Sequence, residues 1–572
     1  MYGRIFAFAM LMGIIAIPVA GASSFGPRGP GRLEVGNGPR GSIDPAPTPD
    51  VDTDPPGQVT RLTAASRDLE VTLEWSIPGD DDLSGTLVLR REGSAVTDTP
   101  TDGVAYTVGE TIGSSDVVCV TGSTDLSCTD ATVSDGFTYY YAAFAFDSSH
   151  NYSVRTETTG HPRLSSEVKW AFTTAATTLA PAGVIPQQFA IGIGNDQLVH
   201  RFRTNDGTRG GWEPPMAGGA VQDRPMVGDL NPGGAADLTA FFTAQDGRVY
   251  RYGLEDGTTT YEGSADAVAD AGCSSGILQA GPVIMLNAFD GNANSDDDVV
   301  VVATRCGATD NKILLYSHDL ATLFDSYDGG VDGLGISNAT PLIIYRSTAN
   351  NIVFVPVRHD GGESLVALEV KSGPAFDTPP YATLTGIGDI DARPGLVRRG
   401  TDRFIVLGNT AGEVYLYSAT VRESGSLRQI DSYLSGTGDG PIKGITAGTG
   451  VRNAQGFFEN QVVWTTDTLV HGIQIGSDGR FKASSYWTKT LPGPSKPLVL
   501  RWVGGASNTL AYVGSSDGYL YELNALNGNT VRSFQVESGK TVGDPGFDYN
   551  DGVEQGIIVG ASSGVFYRVN LD

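Results

Sequence analysis

The chain has 572 residues, of which 76 are Gly and 30 are Pro, while hydrophobic residues make up 40%. Collagen is excluded because the Gly residues follow no three-residue period, and disorder throughout is excluded by the ample Val, Ile, Leu and Phe. The formal net charge of −27 disfavours a nucleic-acid partner, because phosphate contacts need clustered Lys and Arg.

Residues 1–22 have the pattern of a secretory signal peptide. Arg4 supplies a positive start, 5–17 is an apolar run, and 20–22 offers small residues for cleavage. We expect a mature chain that begins at Ser23, is exported to the periplasm or the cell surface, and keeps no stable membrane insertion. An uncleaved anchor is the alternative, although the apolar run is shorter than the roughly 20 residues that a membrane span needs.

The next two segments differ in composition. Residues 23–58 are dense in Pro and Gly without a hydrophobic period, which predicts a flexible or polyproline-like tether. Residues 59–162 alternate apolar and polar positions in about seven short runs separated by turn signals, which predicts a β-sandwich.

Segment 59–162 resembles a fibronectin type III domain. Trp75 stands at the core position on the second strand, and the strand that begins with Thr138-Tyr139-Tyr140 resembles the tyrosine-corner strand. The run AFDSSHNYS resembles the last turn of the family, with His150 in place of Gly. The resemblance implies a spacer or binding module. The acidic turn at 80–82 is interpreted as a solvated loop, with calcium binding as the alternative.

From residue 163 onward, strand–turn–strand units repeat. Eight units begin 47 to 61 residues apart, at positions 189, 238, 299, 352, 404, 462, 510 and 557. A period near 50 with about four short strands per unit is typical of propeller blades. The last unit lacks an outer strand, so we expect a strand near 166–174 to complete it. The predicted fold is all-β: a sandwich followed by an eight-bladed β-propeller over 163–572, with seven blades as the alternative.

The seventh unit resembles the repeat of pyrroloquinoline-quinone-type propellers, through DGYLYEL at 517–523 and Gly528. Weaker copies lie at 246–250 and 412–415. Gly at the hairpin supplies a positive φ, so the motif implies architecture rather than a cofactor. No pyrroloquinoline quinone is expected, because no two Cys are adjacent and the other cofactor ligands have no counterpart in the sequence.

Several acidic loops resemble the FG-GAP type of calcium-binding propeller loop, which joins the first and second strands of a blade. The clearest copy has its ligand candidates at relative positions 1, 3, 5 and 9, namely Asp290, Asn292, Asn294 and Asp298. A second copy keeps positions 1, 3 and 9, namely Asp229, Asn231 and Asp237. Because Ca²⁺ takes roughly six to eight oxygen ligands, the resemblance implies a structural calcium ion that makes the loop rigid. A polar turn without metal is the alternative.

The four cysteines fall into two local pairs, Cys119 with Cys128 and Cys273 with Cys306. An even count in an exported chain predicts two disulfides, with free buried thiols as the alternative.

The chain has no H-E-x-x-H motif and no phosphate-binding loop. We therefore predict a non-catalytic binding or scaffold protein that contacts a protein or glycan partner at the cell envelope or surface. The alternative is an extracellular polysaccharide hydrolase or lyase with a propeller catalytic domain, because paired carboxylates meet only in space.

These two classes predict different structures. A binding platform predicts exposed aromatic side chains on one propeller face and no buried titratable cluster. An enzyme predicts a deep central funnel in which titratable groups with shifted pKa values converge. Four Trp residues are candidates for an aromatic face but are expected to pack between blades, namely Trp212, Trp464, Trp487 and Trp502. His359 and His471 are expected to be turn and strand residues.

Overall fold

The computed structural model describes residues 52–572, apart from a series of short gaps. These are 68, 135–136, 161, 163–167, 175–176, 186–187, 196, 210–217, 231–237, 255–260, 287, 289–297, 331–332, 346–350, 359–361, 371–372, 400, 424, 435–438, 453–457, 502–508, 549–555 and 572. The predicted signal peptide and most of the predicted tether lie outside the described residues. All the described secondary structure belongs to one compact unit, Thr53–Asp572. No described helix has the length and apolar character that crossing a bilayer requires.

The first part of this unit is a sandwich of two antiparallel sheets. Its strands are β1 (Thr60–Arg67), β2 (Glu70–Ser76), β3 (Leu83–Glu92), β4 (Thr111–Ile112), β5 (Ser115–Gly122), β6 (Ser127–Asp130), β7 (Tyr139–Asp147) and β8 (Thr156–Gly160). One sheet has the order β1-β2-β6 and the other β4-β5-β3-β7-β8. Along β2 every second side chain is buried, and Val71, Leu73 and Trp75 face the core, as the sequence alternation predicts.

A disulfide and a set of hydrogen bonds join the two sheets of the sandwich. The predicted disulfide between Cys119 and Cys128 is present and connects β5 to β6, which belong to different sheets. Buried Asp130 accepts hydrogen bonds from the Arg90 guanidinium at 3.0 Å and from the Tyr141 hydroxyl at 3.0 Å. The assignment of this sandwich to the fibronectin type III family stays a prediction.

The remaining strands follow one another in short antiparallel sheets. They are β9 (Val168–Thr173), β10 (Gly183–Ile185), β11 (Phe189–Ile193), β12 (Val199–Arg203), β13 (Met226–Asp229), β14 (Leu238–Thr243), β15 (Arg248–Gly253), β16 (Tyr261–Asp266), β17 (Val283–Met285), β18 (Val299–Ala303), β19 (Ile313–Ser317), β20 (Leu323–Tyr327), β21 (Leu342–Tyr345), β22 (Asn351–Pro356), β23 (Glu363–Val370), β24 (Ala382–Thr385), β25 (Gly395–Arg399), β26 (Asp402–Gly408), β27 (Glu413–Glu423), β28 (Ser426–Leu434), β29 (Gly444–Arg452), β30 (Phe458–Thr465), β31 (Leu469–Ile475), β32 (Phe481–Thr490), β33 (Leu498–Arg501), β34 (Thr509–Gly514), β35 (Tyr519–Asn524), β36 (Thr530–Gln535), β37 (Gly546–Asp548), β38 (Gly556–Gly560) and β39 (Val565–Asn570). A single short helix, α1 (Ala267–Asp270), is present among the described residues.

These strands form a β-propeller, so the all-β prediction is confirmed. Among the described residues, β10-β11-β12 is a three-stranded sheet, and the strands from β13 to β36 form six four-stranded sheets in sequence order. The last sheet contains β37, β38, β39 and β9. Because the first sheet shows three strands, the count of eight blades stays a prediction.

Strand β9 belongs to the propeller and to the sandwich at once. On one side it pairs antiparallel with β39, with Phe172 opposite Phe566. On its other side it pairs antiparallel with β1 of the sandwich, with Phe172 opposite Ala65. The result is one continuous seven-stranded sheet with the order β37-β38-β39-β9-β1-β2-β6. Backbone hydrogen bonds therefore hold the ring closed and attach the sandwich to it.

An aromatic cluster fills the joint between this closing sheet and the sheet β10-β11-β12. Trp170 of β9 meets Phe202 of β12 edge to face at 5.2 Å between ring centroids. Its indole N–H donates to the Thr204 carbonyl at 2.9 Å, so the buried polar atom is satisfied. Gly207 lies against the same indole with φ +71°, and a Cβ at this position would approach it to 2.7 Å. The first and last parts of the propeller therefore pack as one core.

The DG-x-x-Y hairpins are held by a repeated hydrogen-bond pattern. In the seventh unit, the Tyr521 hydroxyl donates to the Asp517 carboxylate at 2.8 Å. In the second, the Tyr250 hydroxyl donates to the Asp246 carboxylate. Gly518 has φ +94°, and a Cβ there would lie 2.1 Å from a backbone carbonyl oxygen. The motif is thus explained by the hairpin itself.

Glu74 of β2 forms a half-buried contact between the sandwich and the propeller. Its carboxylate accepts a hydrogen bond from the backbone N–H of Arg209, which follows β12. Burial raises the pKa of Glu74 to about 7, against the lowering effects of this hydrogen bond and of the charges on Arg209 and Arg203, while the charge of Asp206 adds to the rise. The folded chain therefore holds a proton here that an unfolded chain releases near pH 4.5.

We predict that the Glu74→Gln variant loses a pH dependence of the free energy of unfolding that the wild type shows. Between pH 4.5 and 7 the folded wild type binds more protons than the unfolded chain, so its free energy of unfolding falls by up to about 3 kcal/mol as pH rises. Denaturant unfolding at several pH values measures this slope. The control Glu92→Gln changes an exposed carboxylate of β3 and should keep the slope. A slope unchanged in Glu74→Gln would contradict the assignment.

Candidate ligand site in the central channel

Proline residues mark the positions where inner strands begin. A proline directly precedes the first strand in six of the sheets, namely Pro225, Pro282, Pro341, Pro394, Pro497 and Pro545. Proline suits the start of an edge strand because it has no backbone N–H to leave unpaired. The residue before a proline is held in an extended conformation, which fixes the direction of its side chain.

A cavity of about 420 Å³ lies at this end of the inner strands, and it is lined from every sheet of the propeller. Its charged lining includes four residues that each directly precede one of these prolines, namely Arg224, Arg393, Lys496 and Asp544. Asp223 is the neighbour of Arg224 and lines the cavity too. The repeat therefore brings five charged residues, distant in sequence, to the centre of the ring.

Lys496 lies between the two carboxylates of this cluster. Its ammonium is 3.6 Å from Asp223 Oδ1 and 3.4 Å from Asp544 Oδ2. The Lys496 backbone N–H also donates to Asp544 Oδ1 at 2.8 Å. The Thr340 hydroxyl donates to the other oxygen of Asp223. These contacts cross the channel and connect four sheets, so the cluster ties the inner strands together.

The shared lysine leaves the two carboxylates with different proton affinities. Burial raises the pKa of Asp223, but Lys496 and the Thr340 hydroxyl outweigh it, so the pKa lies below its usual value. Burial raises the pKa of Asp544 above its usual value despite Lys496. The pKa of Lys496 is raised, chiefly by Asp223, so the lysine stays charged. Such divergence between neighbouring carboxylates is a feature of acid–base sites.

The two arginines of the cluster are less well compensated. Arg224 donates through Nη2 to the Pro545 carbonyl at 3.2 Å, which is a neutral acceptor. Burial lowers the pKa of both guanidinium groups, and the positive charge of Arg224 lowers that of Arg393 further. The positive potential of the cavity is therefore greatest near these two side chains.

A second polar network borders the cavity. Asn338 donates to Asp391 Oδ1 at 3.0 Å and accepts from Arg305 at 3.3 Å. Arg358 forms an ion pair with Asp391 and lies 3.4 Å from Asp389. Asn338 and Asp391 line the cavity, so this network holds one wall of the cavity in place.

Most of the predicted calcium ligands lie outside the described residues, namely Asp290, Asn292, Asn294, Asn231 and Asp237. Asp229 ends β13, and buried Asp298 directly precedes β18. Both residues lie where the first strand of a sheet connects to its second strand. This is the end of the strands that lies opposite the channel cavity. The calcium sites therefore stay a prediction for the other face of the propeller.

The described tryptophans pack between strands. Trp464 is fully buried and stacks on His471 at 5.1 Å, and burial lowers the pKa of this histidine to about 4. Trp487 donates to the Ala525 carbonyl at 2.9 Å and covers Gly528 of the next sheet. This packing agrees with the structural interpretation of these residues. Trp212, Trp502 and His359 lie outside the described residues.

The predicted disulfide between Cys273 and Cys306 is present as well. Cys273 lies in the connection that follows α1, and Cys306 follows β18, so the bond ties this connection to the sheet β17-β18-β19-β20. Both predicted disulfides are thus confirmed.

The charged cluster was not predicted from the sequence. The available signal was a charged residue followed by proline at the start of four repeat units, Arg-Pro twice, Lys-Pro and Asp-Pro. The cluster is a half-buried group of titratable side chains in a central cavity, of the kind expected of an enzyme, whereas the described tryptophans provide no exposed aromatic face. Both observations bear on the choice between the two predicted classes.

The fold and this channel define a β-propeller protein with an attached sandwich. No family model matches the chain, and no curated protein matches it in sequence. Among solved structures, Sqt1 of Saccharomyces cerevisiae is 12% identical, with a TM-score of 0.50 over 70% of this chain and 98% of that one. This likeness shows the propeller fold alone.

Two further structures resemble the chain more loosely. BamB from Moraxella catarrhalis is 13% identical, with a TM-score of 0.42 over 70% of this chain and 98% of its own. The quinohemoprotein alcohol dehydrogenase from Comamonas testosteroni is 11% identical, with a TM-score of 0.46 over 70% of this chain and 76% of its own. At these values neither carries an argument about activity.

We predict that the Lys496→Met variant has a steeper pH dependence of stability than the wild type. Without the ammonium, both half-buried carboxylates lose the cation between them, so the pKa of Asp223 rises above that of the unfolded chain and the pKa of Asp544, which is already raised, rises further. The free energy of unfolding then falls as pH rises from about 4 to 7, and the melting temperature at pH 7 drops by about 3 °C or more. Thermal melts over this pH range measure the effect.

The matched control is Lys443→Met, which removes a lysine from a surface ion pair with Asp467. Surface pairs contribute little, so its melting temperature should follow the wild type at every pH. Equal pH profiles for the Lys496 and Lys443 variants would show that the channel carboxylates do not depend on Lys496.

Proposed function

We propose that this chain is a non-catalytic exported binding or scaffold protein, whose propeller and sandwich contact a protein or glycan partner at the cell envelope or surface. The observation that carries this proposal is the seven-stranded sheet that runs from the propeller into the sandwich. A shared sheet resists hinge motion, so surface groups of both parts keep fixed relative positions. A partner can then be bound across both surfaces at a low cost in conformational entropy.

The disulfides and the net charge support the proposed location at the cell envelope or surface. Disulfides persist in oxidising compartments, such as the periplasm and the cell surface, and are rare in the cytosol. The net charge of −27 keeps the protein soluble and favours a partner with basic groups on its contact surface. The signal-peptide pattern of residues 1–22 points the same way.

Calcium is the cofactor that belongs to this proposal. The loop with Asp290, Asn292, Asn294 and Asp298, and the loop with Asp229, Asn231 and Asp237, would hold it through carboxylate and amide oxygens. The ion would make the loops between first and second strands rigid, on the face opposite the charged cavity.

The test is a pull-down from the native envelope fraction with the mature chain as bait, with and without a calcium chelator. The proposal predicts a retained partner, and the calcium proposal predicts a weaker yield and a lower melting temperature after chelation. An acidic protein of similar size and charge serves as the control bait. Elemental analysis that finds no metal, together with an unchanged melting temperature, would end the calcium proposal.

The second candidate function is a polysaccharide hydrolase or lyase. It is favoured by one observation, the Asp223 and Asp544 pair whose pKa values are moved in opposite directions within a central cavity. We prefer the binding function because Lys496 engages both carboxylates, so each of them is already held in an ion-pair contact.

A panel of extracellular polysaccharides separates the two functions. The binding proposal predicts no release of reducing ends or unsaturated products by the wild type. Degradation that is lost in Asp223→Asn and Asp544→Asn, but kept in the exposed-residue control Asp478→Asn, would replace it with the enzyme.

A further inference from the structure

The charges that line the channel cavity are unevenly paired. Three cations line it, namely Arg224, Arg393 and Lys496, and so do the three carboxylates of Asp223, Asp391 and Asp544. Lys496 is in ion-pair contact with Asp223 and Asp544. Asp391 is in ion-pair contact with Arg358. Among the described residues, the two guanidinium groups of the lining are therefore left without an ion pair to a carboxylate.

Arg393 is the cation with the fewest partners. Within the described part of the chain, no hydrogen bond or ion pair involves its guanidinium, and its side chain is half-buried in the cavity wall. Its nearest charged influences are Arg224, which repels it, and Asp223, which attracts it. A guanidinium offers five N–H donors in a planar fork, so Arg393 presents unused donors to the cavity.

The rest of the lining is rich in neutral hydrogen-bonding groups. Gln222 and Gln279 contribute amides, Thr446 contributes a hydroxyl, and Asn338 contributes a further amide. Such groups match a ligand with several hydroxyls rather than an apolar one. The volume of about 420 Å³ lies within the range of small-molecule sites, which starts at roughly 300 Å³.

We propose that this cavity binds a small hydroxylated monocarboxylate of the sugar-acid class, with the ligand carboxylate held by Arg393 and Arg224. Arg–carboxylate pairs form two parallel N–H···O bonds and are among the stronger hydrogen bonds in proteins. One carboxylate between the two guanidinium groups pairs with both and relieves the repulsion between them. Inorganic phosphate lacks the ring hydroxyls that the amide and hydroxyl groups of the lining match.

This proposal is independent of a macromolecular partner, since the ligand enters the channel and not an outer surface. A chain that binds the acid and retains no envelope protein would keep the present proposal and end the scaffold function. A chain that retains an envelope protein but does not bind the acid would keep the scaffold function and end the present proposal.

The experiment is calorimetric titration of the mature chain at fixed ionic strength with glucuronate, glucose and inorganic phosphate. Glucuronate should bind, and glucose, which lacks the carboxylate, should bind at least about tenfold more weakly. Phosphate should bind more weakly than glucuronate. Absence of glucuronate binding, equal affinity for glucose, or a preference for phosphate would each overturn the proposal.

Variants test the assigned residues. Arg393→Gln should weaken glucuronate binding at least about tenfold, and Arg393→Lys should be intermediate because it keeps the charge but loses the fork. The matched control is Arg428→Gln, an exposed arginine on β28, the outermost strand of the sheet that Arg393 precedes. Equal weakening by the control, or wild-type affinity in Arg393→Gln, would overturn the assignment.

Circular dichroism checks that each variant is folded. If Arg393→Gln does not fold, the wild-type melting temperature decides the question instead. Glucuronate should raise it more than glucose or sodium chloride at the same ionic strength, because a ligand that binds only the folded state stabilises it. Equal shifts in the three solutions would contradict the proposal.

Discussion

The structure depends on the pairing of one strand, β9, on both of its edges. A propeller built from sequential sheets has to join its first and last parts, and here β9 supplies the outer strand of the last sheet. Its other edge would be an open row of donors and acceptors, which is a hazard for aggregation. Strand β1 of the sandwich covers that edge. Closure of the ring and attachment of the sandwich are therefore one set of hydrogen bonds, supported by the Trp170 cluster.

Ring closure also creates the candidate site. The residues before the inner-strand prolines belong to units about 50 residues apart. They meet only when the ring brings the starts of the inner strands around one axis. Lys496 then holds Asp223 and Asp544, and Arg224 reaches the Pro545 carbonyl across the channel. The cluster links distant units and leaves Arg393 in the cavity lining, so the proposed ligand would bind beside the contacts that hold the inner strands together.

Much of the fold could be predicted because its signals are local. Alternation identified the strands around Trp75, Gly518 and Tyr521 identified a hairpin, and the even cysteine count identified both disulfides. The incomplete last unit indicated that an early strand pairs with β39. The hydrogen bonds between β1 and β9 could not be predicted, because pairing between two domains leaves no periodic pattern in either strand.

The site was harder to predict than the fold for a related reason. A charged residue followed by proline is a common dipeptide. Whether such a residue reaches the cavity depends on its position within the repeat and on the side chains that other sheets place beside it. The calcium candidates followed a motif and lie on the loops between first and second strands. The charged cavity lies at the opposite strand ends, where the sequence shows no known motif.

Hydrogen exchange followed by mass spectrometry, in increasing guanidinium chloride, tests the shared-strand arrangement most directly. If β9 joins the two parts into one cooperative unit, the amides of β1, β9 and β39 lose protection at the same denaturant concentration. Loss of protection in β1 and β2 at a clearly lower concentration than in β9 and β39 would show that the sandwich opens by itself, and would contradict the account.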